Sequence, residues 1–157
     1  MVESPTYYRA FQPILKALQQ LDIEKLCFDE ELVKTRTGPL PNFLETHTTW
    51  FDGSIVFKNL QQIGTQQKQI TLQHFFDAPH CPVNSVFDPS QEKAVKECLK
   101  NRIGIIQGPP GCGKTFIGIQ MLRLLLSLSS LDKPKILVLT YKNHALDEFL
   151  KGIMRYF

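Results

Sequence analysis

Tyr7, Phe11, Ile14, Leu15, Leu18 and Leu21 return every three or four residues and predict an amphipathic helix near the start of the chain. Ser4 and Pro5 suit its opening, as N-cap and first helical residue, and Pro13 inside the pattern predicts a kink or a later start. The apolar stripe reads as a packing face. A second amphipathic piece is expected over about Ile23–Val33, and Gly38-Pro39-Leu40-Pro41 marks a break after it. The period then shortens. Ser54–Phe57 and Gln69–Leu72 are β-prone, with Asp52-Gly53 as a turn ahead of the first, and the glutamines between Gln61 and Gln69 read as a solvated loop.

From about Val86 the pattern changes again, to helices alternating with short apolar runs, which predicts an α/β fold with a parallel sheet. Asp88-Pro89-Ser90-Gln91 opens a helix: an Asp cap, Pro at the first position and Gln three residues after the cap. Ala94, Val95, Cys98 and Leu99 form its expected buried face. Ile103–Ile106 predicts a strand, Lys114 to about Ser129 a long helix, Lys135–Thr140 a second strand, and Asn143 to about Met154 a last helix. The chain therefore divides into an accessory segment, 1–85, and the start of an α/β domain, 86–157.

Between the first of those strands and the long helix lies Gly108-Pro109-Pro110-Gly111-Cys112-Gly113-Lys114-Thr115, the phosphate-loop pattern of two glycines five apart followed by Lys and Thr. The glycines allow backbone angles that turn successive N–H groups inward around phosphate oxygens, and the helix that follows points its positive end at the same anion. Lys114 supplies a compact cation for the terminal phosphates and the Thr115 hydroxyl a ligand for Mg²⁺. A glycine-rich turn is the plain alternative. The strand-like run before the loop and the apolar helix after it favour a site for ATP with Mg²⁺.

Composition adds little and excludes little. The chain has 157 residues, 43% hydrophobic and 21% charged, with a net charge of +3 that permits a nucleic-acid partner without arguing for one. Cysteines at 27, 81, 98 and 112 lack the paired spacing of a zinc site or disulfide framework, so reduced thiols in the cytoplasm or nucleus are expected. His74, His80 and Cys81 read as surface or packing residues, since no second ligand pair accompanies them. Met1–Pro5 lacks the basic and apolar regions of a secretory signal. Phe116–Leu131 is interrupted by Gln120, Arg123 and serines, and reads as a buried helix instead of a bilayer span.

Two flanks of the phosphate loop narrow the class. Phe87-Asp88-Pro89-Ser90-Gln91 resembles the segment ahead of the loop in superfamily-one helicases, and Leu139–Asp147 (Leu-Thr-Tyr-Lys-Asn-His-Ala-Leu-Asp) resembles their first RNA-contacting motif. With Ile-Gln-Gly-Pro-Pro-Gly-Cys-Gly-Lys-Thr, the run Phe87–Leu150 is similar to the RNA helicases of nonsense-mediated decay. It is nearest to the helicases with zinc fingers of the nuclear-transcription-factor-X-box type. The resemblance implies an incomplete RecA-like motor domain after a small helical and β accessory segment. It implies adenine contact by Gln91, phosphate and Mg²⁺ contact by Lys114 and Thr115, and single-stranded RNA contact or bracing by Thr140 and Asn143.

For Gln91 a capping-box role competes with base reading, and for Asn143 a helix-cap role competes with RNA contact. Tyr141 is a candidate for base stacking or for packing, and Lys142 for a solvated charge that also meets phosphate. Asp147-Glu148 lacks the apolar strand that should precede a Mg²⁺-holding pair, so it is expected to be surface charge facing Lys151. The acidic pair, the arginine fingers, the second motor domain and the zinc fingers are expected outside this chain. The family also places further strands between the two predicted here, which would leave Ile136–Leu139 as an unpaired apolar edge. The alternatives are another phosphate-loop enzyme, such as a small-molecule kinase or ring ATPase, and a non-enzymatic product that binds a partner through the Tyr7–Leu21 face.

Overall fold

The computed structural model describes residues 5–22, 28–34, 49–59, 61, 68–80, 82–129 and 135–156, which fall into two compact units, Met1–Gly38 and Pro39–Phe157. In the first unit, helix α1 (Pro5–Gln19) runs through Pro13 without a later start. Phe11, Ile14, Leu15 and Leu18 lie on its exposed surface, Leu21 just past its end is exposed too, and the Tyr7 side chain is outside those described. Of the second expected helix, 23–27 lies outside the described residues, and the rest is a single turn, α2 (Asp29–Leu32), with Lys34 reaching Asp29 and Glu30.

The second unit is built on a hairpin-like antiparallel pair, β1 (Trp50–Asp52) and β2 (Gln69–Thr71), in the register Phe51↔Ile70. The strand expected over Ser54–Phe57 does not form. The Asp52 carboxylate accepts from both the amide and the hydroxyl of Ser54, at 3.0 and 2.7 Å, and winds Gly53–Ile55 into a 3₁₀ turn. Phe57 keeps one bridge, to Ser85. After β2 the Thr71 hydroxyl caps α3 (Leu72–Asp77), so Leu72 is helical where a strand was expected. Most of the glutamine-rich loop lies outside the described residues.

Three longer helices follow: α4 (Pro89–Lys100), α5 (Lys114–Ser127) and α6 (Asn143–Met154). Phe51, Phe57 and Phe75 meet edge to face beneath α4 and α5, with Val95, Leu99, Ile117 and Leu124 closing the core. Each such ring or branched chain contributes roughly 1.5–3 kcal/mol on burial. Of the expected face of α4, Val95 and Leu99 are buried and Ala94 and Cys98 half-buried. The C-terminal end of α5 is stitched to β1: Ser129 donates to Trp50 O at 3.0 Å, and Ser127 Oγ accepts from Asp52 N at 3.4 Å.

The expected parallel sheet is not formed among the described residues. Among the described residues the sheet is β1–β2 alone; Ile103 is a bend, and 104–106 and 135–140 belong to neither a helix nor a ladder. Strand-forming side chains favour extended backbone, but a strand exists only where a neighbour takes its N–H and C=O groups. Among the described residues neither segment has one, and Ile105, Leu137 and Leu139 are 88%, 81% and 80% exposed.

Candidate functional site

The phosphate-loop residues lie between the run 104–106, which joins no ladder among the described residues, and helix α5. Gly111 and Gly113 hold left-handed backbone angles, φ +82° and +87°. A side chain resists that conformation by about 1–2 kcal/mol. Gly113 is the residue before α5, and no side chain caps the helix, so its first amides are left for an outside acceptor. Lys114 folds back across the bend. Its ammonium donates to Gly108 O at 2.8 Å and Pro109 O at 2.6 Å, and lies 3.6 Å from Cys112 Sγ. Pro109, Pro110 and Gly111 form the exposed crest of the loop, and Thr115 is exposed on the first turn of α5.

Those features fit a triphosphate with Mg²⁺. The left-handed glycines, the uncapped helix start and the lysine converge on one bend, and Thr115 offers its hydroxyl beside it. Phosphate oxygens make stronger, charge-assisted bonds to an ammonium group than carbonyls do, so the Lys114 contacts within the loop are exchangeable.

Gln91 approaches the loop from α4. The capping box is complete: Asp88 Oδ1 accepts from Gln91 N at 2.8 Å and Gln91 Oε1 from Asp88 N at 3.3 Å. The hydrogen bonds from Ser90 and then Gln91 hold the Asp88 carboxyl below the usual carboxylate range. The same Gln91 side chain turns its Nε2 to Cys112 O at 3.3 Å. A Cβ on Gly113 would stand 2.7 Å from that nitrogen. Capping and contact with the loop therefore coexist in one residue.

The second motif begins where the run 135–140 ends. Thr140 Oγ1 donates to Lys142 O at 3.0 Å, closing a tight turn into α6. Lys142 is the N-cap residue, without a side-chain bond, and Asn143 is the first helical residue; the cap role expected of Asn143 falls one position earlier. Tyr141 is 99% exposed, so the packing role considered for it is absent. Asp147 and Glu148 are exposed, with Glu148 3.9 Å from His144 Nδ1.

A buried polar cluster beside the capping box escaped sequence reasoning. The Glu92 carboxylate, 5% exposed, meets Lys96 Nζ at 2.8 Å, His80 Nδ1 at 2.6 Å and Ser85 Oγ at 2.9 Å. Burial raises its pKa, but the bonds from Lys96, His80 and Ser85 outweigh that and leave it below the usual range. Lys96 also donates to Ala78 O at 2.8 Å. The i,i+4 spacing of Glu92 and Lys96 was the one signal available in the sequence. Among the described residues no group of three His, Cys, Asp or Glu side chains suits a metal ion. Cys98 and Cys112 are free thiols, and Cys27 and Cys81 lie outside the described residues. No described helix is long and apolar enough to cross a membrane.

Residues 86–156 match a family profile described as an AAA domain. The chain is 32% identical, over 98% of its length, to the human NFX1-type zinc finger-containing protein 1. It is 29% identical, over 96% of its length, to the Helicase required for RNAi-mediated heterochromatin assembly 1 of Schizosaccharomyces pombe. To the Regulator of nonsense transcripts 1 homolog of Drosophila melanogaster it is 36% identical over 51%. The chain spans only 9%, 14% and 6% of the lengths of these relatives. No solved structure matches it.

Proposed function

Because this chain is a relative of the superfamily-one helicases, with its AAA domain over residues 86–156, we propose that it supplies the ATP-binding part of an RNA helicase motor, fronted by the accessory segment 1–85. The observation that carries the reading is the bend Gly108–Thr115, whose two left-handed glycines deliver Lys114 to the loop's centre at the start of α5. In this reading the amides of Gly108–Thr115 and the Lys114 ammonium hold the phosphates, and Thr115 ligates Mg²⁺. Bound Mg²⁺ neutralises charge on the phosphates. Gln91 faces the loop from α4 and serves the adenine edge, its amide being able to donate and accept at once.

Thr140, Tyr141, Lys142 and Asn143 are the proposed contacts to single-stranded RNA. The turn at Thr140 exposes Tyr141 for base stacking, and the uncapped start of α6 leaves amides for a phosphate beside Lys142. Hydrolysis and translocation belong to a complete motor. The 157-residue chain alone is expected to bind nucleotide without useful turnover, since its adjacent acidic pair after the loop, Asp147 and Glu148, sits on the exposed surface of α6. The test is a titration with Mg·ATP of the intact protein and of Lys114→Ala. Saturable binding that the substitution removes is expected. Absence of saturation, or binding indifferent to the substitution, would overturn the reading.

One observation favours a second role beside it: the apolar face of α1 is exposed within its own unit. Partner binding through that face would survive Lys114→Ala and fail in Leu18→Asp.

A further inference from the structure

Gln91 and Glu92 are neighbours on the first turn of α4, and their side chains leave it toward different parts of the fold. Gln91 reaches the phosphate loop at Cys112 O. Glu92 reaches back into the accessory segment, where His80 Nδ1 and Ser85 Oγ both donate to one carboxylate oxygen and Lys96 Nζ holds the other. A carboxylate can only accept, so Nδ1 is the protonated nitrogen of His80 in this contact. Ser85 Oγ accepts in turn from Phe87 N at 3.1 Å, which binds the approach to α4 into the same cluster. Phe87 then meets Phe116 of α5 edge to face at 5.9 Å.

A buried, multiply bonded carboxylate is a poor source of net stability, because an apolar side chain of similar volume serves as well or better. What it supplies is direction. Its bonds come from the 78–85 segment and from one turn further along α4, so they fix how the first turn of the helix is rotated. Rotation of that turn decides where the next residue's amide points.

We propose that Glu92 is a positioning residue for the nucleotide site: anchored by His80, Ser85 and Lys96, it aims Gln91 at the phosphate loop, so that the accessory segment sets the loop's affinity. The inference rests on the nucleotide-binding reading above. It is tested in the intact protein with a fluorescent methylanthraniloyl-ATP and Mg²⁺, comparing Glu92→Gln, Gln91→Ala, the double variant and Lys114→Ala. Glu92→Gln should weaken binding about fivefold, and the double variant should bind no more weakly than Gln91→Ala alone, because contacts in one chain are not additive. A merely structural Glu92 would lower the melting temperature and add its full effect to that of Gln91→Ala. That result, or binding by Glu92→Gln equal to the parent, overturns the inference while Lys114-dependent binding still stands. Loss of saturable binding in the parent, or binding unmoved by Lys114→Ala, overturns the nucleotide site and the inference together. Should circular dichroism show Glu92→Gln unfolded, His80→Gln and Ser85→Ala, which reach the cluster from outside α4, replace it in the same comparison with the same two outcomes.

Discussion

Gly111 and Gly113 have nearly the same backbone angles but different surroundings, and that separates two costs. A Cβ at Gly111 meets nothing within 4 Å, whereas at Gly113 it comes to 2.7 Å from Gln91 Nε2. Gly111→Ala should therefore lose only the left-handed preference, about 1 kcal/mol of stability. Gly113→Ala must also displace the Gln91 amide from Cys112 O, and should cost about 1 kcal/mol more. Urea unfolding of both variants checks the difference; equal losses would mean that Gln91 yields freely. Glu92 makes a separate prediction in pH. Its folded pKa lies below the ordinary 4.5, so its contribution is fully present above that value and is lost as pH falls through the folded pKa. Melting temperatures between neutral and acid pH should fall more steeply for the parent than for Glu92→Gln, and parallel curves would contradict the low pKa.

At the scale of elements, α5 and α6 cross closely because two glycines face large partners. A Cβ on Gly118 would stand 3.1 Å from Phe149 Cε2, and one on Gly152 2.5 Å from Ile119 Cδ1. Gly118→Leu should overpack this crossing and destabilise the protein by about 1–3 kcal/mol, read by thermal melting. An unchanged melt would mean that α6 is free to shift. The start of α4 and both ends of α6 were readable in the sequence, because caps and helical periodicity are local. The phosphate loop was readable for the same reason: its residues and the angles they permit are contiguous. The strands were readable only in part: Gln69–Thr71 forms β2 within its β-prone run, whereas Ser54–Phe57 does not form a strand. Residues 103–106 and 135–140 have strand composition, yet pairing depends on partners that composition does not specify, and at Ser54 a nearby carboxylate captured the amide that a ladder would have used. The Glu92 cluster was hidden likewise, since His80 and Ser85 lie 12 and 7 residues before it.

At the scale of the whole chain, the two apolar runs 103–106 and 135–140, which join no ladder among the described residues, govern behaviour in solution. Ile136, Leu137, Val138 and Leu139 are apolar without alternation, the pattern of a strand meant to be covered on both faces. Here Leu137 and Leu139 stand in solvent, as does Ile105 in the other run, and among the described residues the backbone beside them carries no ladder. Unpaired apolar edges recruit further chains. The 157-residue chain should accordingly self-associate as its concentration rises, and melt broadly. Replacing Leu137 and Leu139 together by Lys removes apolar area and adds charge at the exposed run, the device by which natural edges are kept apart. Sedimentation velocity should move from a concentration-dependent mixture toward a monomer in that double variant, with Mg·ATP binding retained because both leucines stand largely in solvent. A monomeric parent with a sharp cooperative melt would show that these runs find cover within the chain, and the exposed surface at Leu137 and Leu139 would then have to close by rearrangement in solution.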